Sequence, residues 1–466
     1  MKIKFLGAAR TVTGSKHLII LNDGRHILLD CGLFQGKGDI AYPVNRDLGL
    51  DPEKITCVIL SHAHIDHSGN LPTIVKKGFY GPIFCTNATK DLCSVMLADS
   101  AHIQESDTEY YNKRQLAKGL PTFEPLYTKD DVLPCTTLLR AIPYNTEITI
   151  SENILLTFTD AGHILGSAVI NLKIKEDGKW TSISFTGDIG RYNSQILKNP
   201  QIFPQADYII CESTYGDRLH EDNTLSKLHL LNIITKTCIE KKGKLIIPAF
   251  SLGRTQEIVY TMDQLVNEGK MPAIKVFVDS PLSVNITNIT RNHADCYNDK
   301  MIEYMKHDND PFGFKNLTFI HKVEDSRRLN TIEEPCIIIS ASGMIEAGRI
   351  KHHVRNSISD KKNTILLVGY CEPSTLGGRL AQGAKQVSIF KEKYTVRAEI
   401  KKLHSFSAHG DYKDIIRTLS CQNKEKVKTL FLVHGELHVQ QNFMQILGDE
   451  GYMNIEIPEK NQEFIL

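Results

Sequence analysis

The chain has 466 residues and carries 55 basic and 54 acidic side chains, a net charge of +1, so no global field marks it as a nucleic-acid binder and any polyanion site must be a local patch. Its length exceeds one compact core and implies two domains, or one with a large insertion, while 41% hydrophobic and 23% charged residues are ordinary for a globular protein. Eleven cysteines, none spaced C-x-x-C and several beside apolar residues, read as buried free thiols of a reducing cytoplasm; without an apolar h-region or an 18-residue apolar run, neither a signal peptide nor a membrane span is expected.

In chain order, Lys2–Leu6 reads as a first strand, followed by Gly7-Ala8-Ala9-Arg10. The apolar runs His17–Leu21 and His26–Asp30 are split by Asn22-Asp23-Gly24, a hairpin signal. Cys57–Leu60 is a strand that delivers Ser61-His62-Ala63-His64-Ile65-Asp66-His67-Ser68-Gly69. Ser68 is expected to cap a helix from about Asn70 to Lys77, closed by Gly78. A longer helix is expected over 90–118, then strands at Leu155–Phe158, Ala168–Lys175, Thr181–Thr186 and Tyr208–Cys211. From about 220 to 390 helices (223–241, 254–268) alternate with apolar strands (Leu245–Ile247, Ile274–Val278, Cys336–Ile339, Thr364–Val368), the pattern of a parallel α/β unit. The chain then returns to a strand at Val396–Leu403, a helix near 411–420 and a strand at Thr429–Val433.

Polar chemistry recurs at the strand ends. His62, His163, Asp188, Glu212 and His434 each follow an apolar run, and layered α/β folds gather such positions along one sheet edge. Three imidazoles and a carboxylate within six residues of a strand end read as a metal cluster rather than packing. A turn can aim His62 and His64 at one ion and Asp66 and His67 at another. His163 then supplies a third nitrogen to the first, His434 completes the second, and Asp188, with two oxygens, bridges. Two such ions can share a hydroxide and clamp a phosphoryl group.

Ser61-His62-Ala63-His64-Ile65-Asp66-His67 resembles the H-x-H-x-D-H signature of the metallo-β-lactamase fold, with Asp30, His163 and Asp188 matching that family's other motifs in order. Glu212 in Cys-Glu-Ser-Thr-Tyr-Gly, His409 in Ser-Phe-Ser-Ala-His-Gly-Asp and His434 in Leu-Val-His-Gly-Glu are similar to motifs A, B and C of the β-CASP subgroup. Pro248–Arg254, Asp279-Ser280-Pro281-Leu282 and Ser340-Ala341-Ser342-Gly343-Met344 resemble it as well. The resemblance implies an α/β, four-layer αββα sandwich with an inserted β-CASP domain: residues 1–212 and 391–466 form the metallo-β-lactamase domain, and 213–390 the insertion.

It also implies a nuclease, and histidine at motif C points to RNA. The expected protein is a cytoplasmic zinc-dependent ribonuclease, with endonucleolytic, exonucleolytic or both modes open. It holds two zinc ions per chain, with manganese as the other candidate, acts on single-stranded RNA, binds no membrane and leaves a homodimer open. His62, His64 and His163 hold one ion, Asp66, His67 and His434 the other, and Asp188 bridges. A metal-bridging hydroxide attacks the phosphodiester. His409, kept cationic by Glu212, protonates the leaving 3′-oxygen, and Asp66, His409 and Glu212 are the catalytic residues. Asp30 orients a ligand imidazole. Ser340, Ser342 and Gly343 present groups to a phosphate, and Arg254, Arg349 and Arg379 contact RNA. His352-His353 reads as helix surface. A DNA nuclease and a small-molecule hydrolase of the same fold are the alternatives, and a non-catalytic RNA-binding subunit is weakened by the full ligand set.

Overall fold

Alternation shapes the first strand, Lys2–Gly7, in which Ile3 and Phe5 are fully buried while Lys2 is exposed. The computed structural model describes residues 1–36, 38–220, 226–369, 371–403 and 407–466. Its chain divides into two compact units, Met1–Leu219 with His409–Leu466, and His220–Ala408.

The first unit is built on two seven-stranded sheets. One runs in the order Glu463–Ile465, Lys2–Gly7, Lys16–Ile20, His26–Leu29, Ile55–Ile59, Ile83–Cys85 and Leu139–Ala141. The other runs Ile455–Glu456, Thr429–Val433, Tyr208–Glu212, Lys179–Phe185, Ala168–Glu176, Ile154–Asp160 and Ile148–Ser151. Their facing sides share one core, in which Ile3, Phe5, Ile19 and Ile59 meet Phe158, Ile170, Phe185 and Phe431. The Phe5 and Phe431 rings lie 5.1 Å apart. Each fully buried side chain of this size contributes about 1.5–3 kcal/mol. The outer face of the second sheet packs Ile209, Leu430 and Leu432 on helices Tyr412–Leu419 and Leu437–Asp449 through Ile415, Leu419 and Phe443. Helices Leu71–Lys76, Asn87–Leu116 and Lys129–Thr136 form the remaining layer, which makes the fold αββα. The strand Glu463–Ile465 runs antiparallel to Lys2–Lys4, so sequence-distant ends close the first sheet.

The second unit has a six-stranded sheet in which every pairing is parallel: Leu317–Phe319, Lys275–Val278, Cys336–Ser340, Leu245–Pro248, Thr364–Leu367 and Glu399–Lys402. Strand Cys336–Ser340 is buried throughout, as expected for a parallel sheet covered on both faces.

Three expectations shift. Ser68 does not cap the helix at Leu71–Lys76, which has Asn70 as its N-cap; Ser68 ends its own short helix, Ile65–Ser68, and donates to the carbonyls of Ala63 and His64. Of the helix expected at 223–241, the described part runs from Ser226 to Ile234 and continues in a wider turn over Thr235–Glu240, while 223–225 lie outside the described residues. The inserted unit extends past 391 to Ala408, because Glu399–Lys402 pairs with Thr364–Leu367 as an edge strand of its sheet.

Candidate metal centre

Four strand ends of the first unit bring the site together. Strand Ile55–Ile59 ends in Leu60 and Ser61, and the chain then turns through His62 and His64 into the short helix Ile65–Ser68. His163 follows strand Ile154–Asp160, where its amide is held by Ser167 Oγ at 2.9 Å. Asp188 follows strand Lys179–Phe185 through Gly187, whose φ is 52° and whose Cβ, if it had one, would lie 2.6 Å from Ser61 Cβ. Only glycine lets the Asp188 turn approach the histidine turn so closely. His434 follows strand Thr429–Val433 with φ 54°, its amide donating to the Ala8 carbonyl at 2.7 Å.

The donor atoms converge in two sets. In the first, His64 Nδ1 lies 3.2 Å from His62 Nε2 and 3.3 Å from His163 Nε2. Asp188 Oδ2 lies 3.4 and 3.5 Å from the same two Nε2 atoms. In the second, His67 Nε2 lies 3.1 Å from His434 Nε2 and 3.3 Å from Asp188 Oδ1, and His434 Nε2 lies 3.4 Å from Asp66 Oδ2. Asp188 Oδ1 is buried and receives no hydrogen bond among the described residues.

These spacings fit metal ions. Tetrahedral coordination with bonds of about 2.0–2.1 Å places neighbouring donors about 3.3–3.4 Å apart, close to the spacing found in both sets. Hydrogen bonding does not explain them, since several lone pairs converge and a buried oxygen is left without a donor. Each set could hold a cation, which would satisfy the converging donors and that oxygen.

The protonation pattern of the first donor set agrees with this. Burial lowers the pKa of His62, and with His62 beside it lowers that of His64 to about 3; burial and His409 hold His163 well below the usual value. All three are therefore neutral, the form that binds metal. Burial works against charge on His67, but Asp188 and Asp30 outweigh it and hold that pKa high. Burial likewise opposes the carboxylates of Asp66 and Asp188, yet the surrounding imidazoles keep both pKa values low.

Asp30, fully buried with φ 57°, accepts from Ser61 N at 2.8 Å and Ser61 Oγ at 2.9 Å. Its Oδ2 lies 2.6 Å from His67 Nδ1, which fixes the proton there and turns the Nε2 lone pair toward the second donor set. Glu212, at the end of strand Tyr208–Glu212, accepts from Ile189 N at 2.6 Å and lies 3.2 Å through each oxygen from His409 Nδ1. Burial opposes charge on His409, but Glu212 and then Asp188 raise its pKa to about 9. The His409 ring sits 4.5 Å from that of His163, so a proton-bearing group stands beside the first donor set. Ser405 and Phe406 of the same motif lie outside the described residues.

Sequence reasoning missed the hydroxyls that position this site. Ser61 Oγ contacts both Asp30 and His62, and Thr214 Oγ1 lies 2.9 Å from His434 Nδ1. Both adjoin quoted motif residues, which was the available signal.

The residues expected to contact RNA fall in the second unit and are placed differently. Ser340 is buried and donates to the Asp279 carbonyl at 2.7 Å. Arg349 donates to Asp279 Oδ1 at 2.7 Å and to the His321 carbonyl at 2.7 Å, and Arg254, 7% exposed, pairs with Glu257. These three are engaged inside the unit. Ser342 is half-buried and accepts from the amides of Glu346 and Ala347, Gly343 packs under the Phe250 ring, and Arg379 is exposed. His353 is not helix surface: it is 1% exposed, with Nε2 2.6 Å from Asp279 Oδ2.

Three family models match the chain: the metallo-beta-lactamase superfamily over residues 12–93, the Beta-Casp domain over 255–380, and the Zn-dependent metallo-hydrolase RNA specificity domain over 393–458. A ribonuclease of Thermus thermophilus is 31% identical over 94% of this chain and 93% of its own length. An RNase J-like protein of Methanocaldococcus jannaschii is 32% identical over 95% and 94%. A transcription termination factor of the same archaeon is 30% identical over 94% of this chain and 67% of its own.

Proposed function

Because the chain belongs to the metallo-β-lactamase superfamily, in the branch of hydrolases that carries a β-CASP insertion, we propose that it is a zinc-dependent ribonuclease that hydrolyses phosphodiester bonds of single-stranded RNA. The observation that carries this reading is the pair of donor sets joined by the two oxygens of Asp188, with His409 and Glu212 at their side. The match to an RNA specificity domain and the names of the relatives support RNA over DNA.

His62, His64 and His163 would hold one ion and Asp66, His67 and His434 the other, with Asp188 shared between them. Zinc suits these nitrogen and oxygen donors, and manganese is accommodated by the same set. When bound, such ions neutralise charge developing on a phosphoryl group and make hydroxide available near neutral pH. The protein's own part is geometric and protonic. Asp30 fixes the His67 tautomer. Asp66 and Asp188 supply the negative charge that retains two divalent cations. Glu212 keeps His409 protonated, and His409 gives that proton to the leaving 3′-oxygen. Ser342, Gly343 and Arg379 stay as phosphate-facing candidates on the inserted unit, with Ser340, Arg254 and Arg349 bracing it from within.

The test is cleavage of 5′- and 3′-labelled RNA and matched DNA by the purified chain, with zinc and with chelator, beside Asp66→Ala and His409→Ala. RNA is cut with zinc and spared by chelator. Asp66→Ala loses cleavage, and His409→Ala slows it about 10²–10⁴-fold while keeping its metal. RNA that survives with zinc present overturns the proposal, and DNA cut as fast as RNA reassigns the substrate.

A further inference from the structure

A cavity of about 180 Å³ lies in the first unit, walled by the turn that joins its first two strands. Gly7, Ala8, Thr13, Lys16, Phe34 and Lys460 are among the residues that line it. The hairpin is drawn tight here: Gly7 pairs with Lys16, and a Cβ on Gly7 would sit 1.9 Å from the Gly14 carbonyl oxygen. The space exceeds that of one water several-fold.

Lys16 is the anomaly. It begins strand Lys16–Ile20, where alternation sends its neighbour His17 into the core against Phe5 and Phe185 and leaves Lys16 on the opposite face, lining the cavity. Lys16 is only 4% exposed, and among the described residues it makes no ion pair and no side-chain hydrogen bond. Burial lowers its pKa; Cys31 and, more weakly, the Asp47 carboxylate oppose this without reaching ion-pair distance, while the ammonium groups of Lys460 and Lys77 add to it. Lys460 is exposed and, among the described residues, also makes no ion pair, whereas its neighbour Glu459 is taken up by Arg10. Two unpaired ammonium groups thus converge on one cavity. A buried ammonium without a counter-charge is costly, and an apolar residue of the same length would fill the position more cheaply.

The cavity wall is tied to the metal centre through the backbone. The Ala8 carbonyl, on a residue with φ 48°, accepts from His434 N, and Ser15 N donates to the Asp66 carbonyl at 2.8 Å. Both bonds lead to residues of the second donor set.

We propose that this cavity is an anion site that takes a phosphate group, with Lys16 at its base and Lys460 at its mouth. The phosphate can come from the strand held at the metal centre or from a free phosphate. The strand source rests on the ribonuclease reading; the site itself does not.

The test uses the full chain stripped of metal by chelator. Inorganic phosphate is compared with chloride at matched ionic strength in thermal unfolding of the parent, Lys16→Met and Lys460→Met. Phosphate raises the parent Tm. Lys16→Met starts at a higher Tm, having lost an unpaired buried charge, and loses the phosphate increment; Lys460→Met loses part of it. In parallel, anisotropy of a labelled oligoribonucleotide is followed across salt concentrations. If the strand is the source, each variant lowers the slope of log affinity against log salt by about one. Loss of the phosphate increment with an unchanged slope supports the site and makes its ligand a free phosphate. Equal phosphate increments in all three proteins overturn the proposal, whether or not the parent cleaves RNA.

Discussion

Each unit buries a group of carboxylates and histidines, and the two are wired in opposite ways. In the second unit Asp279 is saturated: His353 Nε2 at 2.6 Å, Ser326 Oγ at 2.5 Å and Arg349 Nη1 at 2.7 Å all serve it, and His353 Nδ1 is met by Asn330 Oδ1 at 3.2 Å. Nothing is left over to receive a ligand, and the group braces strand Lys275–Val278 against helix Ile350–Ser357. In the first unit, Asp30 takes one nitrogen of His67 and the remaining imidazole lone pairs point at one another. The first pattern completes itself within the chain. The second leaves donors converging that could hold metal ions.

That contrast can be broken most directly at Asp188. Asp188→Asn removes the charge both donor sets share, and RNA hydrolysis is expected to fall about 10³-fold, with bound zinc dropping below two per chain by elemental analysis. Full activity with two zinc ions retained would mean that the convergence of lone pairs is not what holds metal. Next in size is Asp279→Ala. It leaves the buried His353 and the half-buried Arg349 without their carboxylate and is expected to cost about 3 kcal/mol in urea unfolding while zinc content per folded chain stays unchanged. A loss of zinc in that variant would erase the distinction between brace and site.

The smallest effect concerns pH. His409 has a folded pKa raised to about 9 by Glu212 and Asp188 against the pull of burial. Its contribution is thus fully present below the ordinary histidine value and is lost as pH rises through about 9. Cleavage by the parent should decline above that pH. Glu212→Gln removes the carboxylate that does most to raise the pKa, so the alkaline limb should move to lower pH. A limb that stays in place would separate His409 from the proton transfer.

Much of the convergence at the candidate metal centre was legible in the sequence because its chemistry is local. His62, His64, Asp66 and His67 share one turn, and His163, Asp188 and His434 stand where apolar runs stop. The brace was not legible. Asp279, Ser326, Arg349 and His353 spread over 75 positions: Asp279 stands in a family-like motif, Arg349 reads as an RNA contact, His353 as helix surface, and Ser326 carries no signal of its own. Arg349 and Ser340 looked like phosphate ligands because their glycine-rich setting is shared by loops that do bind phosphate; tertiary contacts turned them inward. The Ser68 cap failed for a similar reason: the histidine turn begins a helix of its own, and Ser68 is spent in it. The layered architecture was anticipated from the family motifs, whereas the edge strand Glu399–Lys402 of the inserted sheet lies within a run that composition alone does not assign to either unit.

The pairing of Glu463–Ile465 with Lys2–Lys4 sets a timetable for synthesis. At about 5–20 residues per second, the earliest strand waits roughly half a minute or longer for its neighbour to leave the ribosome. Throughout that interval one edge of the first sheet stays unpaired, a hazard for association with other nascent chains. The same delay applies to His434, whose amide is held by Ala8, so the second donor set is assembled among the last events of folding.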